Sequence, residues 1–230
     1  MLHFGPSFYR TAAICSIVSA LTTLGLIFLP YLFIPVDGFD GRMNRINEPA
    51  YVLRSWIYLL HPFLCGAAAL AVAMRLRTLA SAGAIVGLLG FLLWAGTEAG
   101  QQTMTLFTMD KWRAAWATAD ELTRAHIRAS VLMYDGLWDA KYFLLLIGFA
   151  IGNLSFGLVM VKRHGLTRVV GGFFLAAAAL TIVWNMLPEV GGPSLPESIE
   201  PWLYPAIQPL GRTLIGLWLW RAADENGPLP

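Results

Sequence analysis

The sequence predicts an all-α integral membrane protein, a single bundle of six transmembrane helices. Two observations carry that reading. Of 230 residues, 57% are hydrophobic and only 13% charged, where soluble domains carry about 25%. The apolar residues also fall in runs long enough to span a bilayer, which takes about 20 residues. These runs use up most of the chain, so residues 1–230 read as one domain with no separate soluble part.

Helix 1 is expected at about 11–34, where Pro30 and Pro35 mark its end. Arg10 precedes it as in a signal peptide, but the run is too long and lacks a small-x-small cleavage site, so a retained helix is expected. Helix 2 covers about 51–74, and Pro62 should remove one backbone hydrogen bond and kink it. Helix 3 covers about 79–108. Residues 109–128 read as a loop or surface segment, with Trp112 and Trp116 as interfacial anchors. Helix 4 starts between Leu122 and Ser130 and covers at least about 130–161, helix 5 about 167–187 and helix 6 about 202–220. The Pro-, Gly- and Glu-rich stretch 188–201 must be a loop, and 224–230 a disordered tail. Trp184, Trp202, Trp218 and Trp220 fit interfacial belts.

A net charge of +2, with no basic run, excludes a nucleic-acid partner. Cys15 and Cys65 lie inside apolar runs and read as small buried residues, not as a disulfide. No metal or haem spacing occurs, because His3, His126 and His164 fall at terminal or loop positions. No cofactor or catalytic motif emerges, and no lipidation signal is evident.

Six crossings place both termini on one side. Lys and Arg are equally numerous on the two sides. The short purely basic connections at Arg75–Arg77 and Lys162–Arg163 favour cytoplasmic termini. Gly83-x-x-x-Gly87, Gly96-x-x-x-Gly100 and Gly148-x-x-x-Gly152 each put two glycines on one face. Such faces serve packing within a bundle or homo-oligomer contacts.

Gly148, Gly152 and Gly157 lead into Lys162-Arg163-His164-Gly165-Leu166-Thr167-Arg168 and then Gly171-Gly172. This hairpin resembles one found in a broad group of small six-helix bacterial membrane proteins known only as a domain of unknown function. The resemblance implies a multi-helix bundle in the bacterial inner membrane, and it implies no activity.

The ionisable residues inside the runs gather near one membrane face. Arg54, His61, Glu98, Gln102, Asp135, Asp139, Lys141 and Arg212 form the candidate ligand-binding set. Charge is costly in lipid, so such a layer lines an enclosed cavity or pairs internally. Asp135 and Asp139 are at i and i+4, as are Glu98 and Gln102, so each pair shares a helix face. Arg212 should pair with Glu98, Asp135 or Asp139. His61 should hydrogen-bond within the bundle, and Asn153 between helices.

Three functions fit this pattern. The first is a protein that binds or passes a small molecule, lipid or ion through a polar cavity in the outer half of the bundle. The second is an intramembrane enzyme using carboxylate and histidine acid–base chemistry on a lipid-like substrate. The third is a structural or assembly subunit. Membrane lipid is the expected surrounding partner in each.

Overall fold

A computed structural model describes residues 4–193 and 200–224. The described residues are 89% helical, with no strand among them. The expected tail beyond Asp224, the centre of the 188–201 loop, His3 and the side chain of Trp202 lie outside what is described.

Helix α1 spans Pro6–Phe28 and ends in a tight turn, Leu29–Leu32, at Pro30. A short helix α2, Gly38–Asn44, follows in the first connection, where Gly38 adopts a φ of 69°. Helix α3 is Pro49–Leu76 and runs on through Pro62. Helix α4, Ser81–Met104, passes through a wide π-turn at Thr105–Met109 into α5, Asp110–Trp116. Helix α6 is Glu121–Met160, started by the Asp120 side chain accepting from the Thr123 amide. Helix α7, Gly165–Leu180, passes through a second π-turn, Thr181–Met186, into the single turn α8, Leu187–Glu189. Helix α9 is Glu200–Asp224.

Among the described residues, five helices are long and apolar enough to cross a membrane: Pro6–Leu32, Pro49–Leu76, Ser81–Trp116, Glu121–Met160 and Gly165–Glu189. Helix α9 has the length, but Pro205, Gln208, Pro209 and Arg212 dilute its apolar run. The loop or surface segment expected at 109–128 is corrected in its first part: it is helical through α5, breaks briefly, and α6 begins at Glu121, at the early end of the expected range. The π-turn lets α4 continue past the expected end at 108 instead of stopping there.

Large apolar side chains such as Leu21, Leu60, Phe63, Leu89, Leu132 and Leu158 stay exposed along the five long helices. A water-soluble bundle would bury such a belt, whereas lipid solvates it. Lipid is as apolar as a core, so close packing must hold helix to helix. Helices α4 and α6 meet backbone to backbone: a Cβ on Gly90 would lie 2.5 Å from the Gly152 nitrogen. Gly83 and Gly87 face Val159 and Phe156 of α6. Those glycine faces are therefore filled within the chain, while Gly96 and Gly100 meet nothing within 4 Å.

Helix α9 runs antiparallel along α1. Arg10 pairs with Asp224 at 3.0 Å, Gly216 faces Ala13 and Ile17, and Ser16 donates to the Arg212 carbonyl at 2.7 Å. The N-terminal end of α7 joins the same end of the bundle, where Trp218 Nε1 donates to Thr167 Oγ1 at 2.9 Å. Trp218 and Trp184 are buried within the bundle.

Candidate functional site

Helix α3 carries a polar stripe: Tyr51, Arg54, Ser55, Tyr58, His61 and Cys65 recur at spacings of three and four. A 3.6-residue period puts them on one side of the helix. The structure divides the polar residues along this stripe into an outer group and a deep group.

The outer group lines a cavity of about 270 Å³. Helix α3 supplies Tyr51, Arg54, Ser55 and Tyr58. Helix α4 and its π-turn supply Gln102 and Thr105, α5 supplies Arg113, and α6 supplies Tyr134, Asp135 and Trp138. Arg42 reaches in from α2. Arg42 holds Asp135 with two bonds, at 2.8 and 2.5 Å, and both side chains are about 40% exposed. The Asp135 hydrogen bond raises the Arg42 pKa above its ordinary value. Buried Arg113 binds Asp110 at 2.8 Å and the Tyr51 hydroxyl, and its guanidinium lies over the Tyr51 ring. Thr105 Oγ1 donates to the Gln101 carbonyl and hydrogen-bonds Tyr134 at 2.7 Å.

Arg54 differs from its two neighbours. Its Nε donates to the Leu26 carbonyl at 3.2 Å and its guanidinium lies 5.0 Å from the centre of the Tyr58 ring. It has no carboxylate partner among the described residues. Two hydrogen-bonding cations in this cavity are thus neutralised, and a third is not.

The outer wall is closed by a small apolar cluster of Met43, Met109, Trp116, Ile127, Val131 and Tyr134. Trp116, expected at the interface, is buried there because its Nε1 donates to Asp40 at 2.8 Å and two arginines, Arg124 and Arg128, cover its ring.

The deep group contains His61, Glu98 and Arg212. His61 meets Thr22 at 2.7 Å through Nδ1 and Cys65 at 3.5 Å through Nε2. Arg212 contacts the Cys65 sulfur and the Gln208 side chain, and lies 5.7 Å from the centre of the Trp94 ring. The expected carboxylate pair is absent among the described residues. Asp135 is taken by Arg42, and α9 sits against α1 and α7, not against the outer part of α6. Glu98 is only 5% exposed, with no hydrogen-bond or ion-pair partner among the described residues. It lies between Trp94, which borders the deep cavity, and Gln102, which borders the outer one.

Two residues of the expected set leave the layer. Asp139 is exposed, because the far side of α6 faces outward at that turn. Lys141 turns to α4, where its ammonium meets the Met104 sulfur at 2.8 Å. Asn153 bonds within its own helix, donating to the Phe149 carbonyl at 2.7 Å, instead of bridging helices.

Sequence reasoning missed Arg42, Arg113 and Cys65. The first two sat in what read as loops. Cys65 lay at the deep end of the α3 stripe, and its spacing from His61 was the available signal. Among the described residues no three His, Cys, Asp or Glu side chains gather to hold a metal ion. Comparison with protein families, with curated proteins and with solved structures finds no match to this chain.

Proposed function

We propose that this chain is a six-span protein of the bacterial inner membrane that binds the anionic head of a membrane-dissolved amphiphile in its outer cavity. Helix α9 makes the sixth crossing, and both termini face the cytoplasm beside the basic connections Arg75–Arg77 and Lys162–Arg163. The observation that carries the reading is Arg54. It borders a cavity of about 270 Å³ whose walls hold three arginines and the single carboxylate Asp135, which Arg42 already occupies.

An uncompensated guanidinium within a membrane bundle calls for an anion. Arginine presents a planar fork that matches phosphate and carboxylate geometry. Tyr51, Tyr58, Ser55 and Thr105 add hydroxyls around it, and Trp138 adds an aromatic edge. Those groups suit a polar head; the exposed apolar belt below suits acyl chains.

The test is mass spectrometry of ligands carried by the detergent-purified protein. The wild type should retain a phosphate- or carboxylate-headed amphiphile, with the mass distinguishing the two. Arg54→Gln should retain about 10- to 100-fold less, the loss expected for a charge-assisted hydrogen bond of about 1.5–3 kcal/mol. Asp139→Asn, outside the cavity, should retain it fully. Equal retention by wild type and Arg54→Gln would reject the proposal.

A further inference from the structure

A different cavity, of about 60 Å³, lies deeper along the same stripe. Cys65 borders it seven residues beyond Tyr58, about 10 Å at 1.5 Å per residue. Its walls are largely apolar, with Phe91, Trp94, Phe149 and Phe174 among them. Its polar lining includes Ser19, Cys65, Asn153 and Arg212.

The hydrogen bonds around Cys65 give its neighbours definite roles. The Thr22 hydroxyl has one proton and donates it to the Ser19 carbonyl at 3.0 Å. With that proton so placed, Thr22 accepts from His61 at 2.7 Å, the arrangement in which the ring proton sits on Nδ1. Nε2 is left as a bare acceptor, and it faces the Cys65 sulfur at 3.5 Å. From the other side Arg212 directs an N–H at the same sulfur. A base and a cation thus converge on one thiol.

The polar end of the cavity also holds unused capacity. Asn153 is 3% exposed and its amide nitrogen is spent on the Phe149 carbonyl. Arg212 Nε is buried without a partner. Leaving such a group unpaired costs about 1–3 kcal/mol. A packed apolar core would have been the cheaper solution, which argues against a purely structural role.

We propose that Cys65 is a nucleophile that accepts an acyl group from a membrane-dissolved ester or thioester, with His61 as its base and Arg212 as the cation beside the sulfur. The thiol proton passes to His61 Nε2. The sulfur electron pair then forms a bond to the acyl carbonyl carbon, and the carbonyl π electrons move onto its oxygen. When that oxygen reforms its double bond, the carbon–oxygen or carbon–sulfur bond of the donor breaks. His61 returns the proton to the departing alcohol or thiol. Arg212 balances negative charge first on the sulfur and then on the carbonyl oxygen, as an oxyanion donor does. The apolar walls keep water from the thioester, and the small cavity takes the carbonyl end of the acyl group while the rest of the chain extends toward the lipid. This reading concerns the deep cavity alone and does not depend on ligand binding at Arg54.

The experiment treats the full chain in detergent with an alkyne-tagged hexadecanoyl thioester and follows the intact mass. One adduct should form, be removed by hydroxylamine, and map to Cys65 by peptide mass spectrometry. Cys15→Ser should keep the adduct and Cys65→Ser should lose it. His61→Gln should form it on the order of 100-fold more slowly. No adduct on the wild type, or an adduct mapped to Cys15, would overturn the proposal. An unchanged rate in His61→Gln would overturn the role of the base. Mapping on the wild type decides the nucleophile even where Cys65→Ser fails to fold.

Discussion

An arginine inside a membrane bundle keeps its charge at physiological pH, so its surroundings must answer that charge. Arg42 and Arg113 do this with Asp135 and Asp110, whereas Arg212 is met by a sulfur, an amide and an indole face. The sequence made the need legible but not the partner, because the partner comes from another helix. A local contact is more predictable. Asp120 opens α6 by accepting from the Thr123 amide at 2.8 Å, and this bonding with Thr123 lowers its carboxyl pKa below 3.8. A depressed folded pKa means the cap is fully present above the unfolded value and is lost as pH falls through the folded one. Amide exchange at Thr123 should therefore accelerate below about pH 3.8, and Asp120→Ala should show the faster exchange at neutral pH too. Exchange that is independent of pH-induced protonation, after correction for the intrinsic rate, would reject this role for the cap.

At the scale of elements, glycine spacing was readable but its use was not. Gly83, Gly87, Gly90, Gly148 and Gly152 let α4 and α6 approach closely, whereas Gly96 and Gly100 have open space where a Cβ would go. Gly90→Ala would push a methyl against the Gly152 backbone, which cannot yield as a side-chain tip can. It should destabilise by about 1–3 kcal/mol, as overpacking does. Gly96→Ala should be neutral or stabilising, by up to about 1 kcal/mol, since alanine favours the helix. Thermal unfolding of both variants in detergent measures the contrast. Equal losses would mean that the α4–α6 contact is looser than its geometry. The π-turn at Thr105–Met109 belongs to this scale as well. It carries the helix on to Arg113 and so brings a third arginine to the outer cavity, beside Arg42 and Arg54. Hydropathy along the chain does not register such a turn.

For the whole molecule, the contacts of α1 with α9 and of Trp218 with Thr167 gather the N-terminal helix start, the α7 start and the α9 end at one pole. The connection 105–120 lies at the other pole, beside α2. If α9 crosses the membrane and the basic connections face the cytoplasm, cysteines at Lys162 and Glu121, introduced one at a time in a Cys15→Ser background whose remaining Cys65 is buried, should label from opposite sides. Position 162 should react only from the cytoplasmic face, and position 121 only from the outer face. Reversed labelling would invert the proposed orientation. Labelling of both from one side would break the alternation of the helices.

Composition and the length of apolar runs determined that this chain is a helical membrane bundle, because those properties depend only on residues near each other in sequence. They also placed Arg54, Gln102 and Asp135 near one end, which is the end of the outer cavity. Prolines and Arg212 inside α9 make it the least apolar of the long helices, and its packing along α1 holds it in the bundle. Tertiary structure alone decided that Asp135 belongs to Arg42, that Asp139 faces out, and that Arg212 meets Cys65. The physical reason is reach: a side chain's own helix sets its height and face, but only the neighbouring helices set what lies within hydrogen-bond distance.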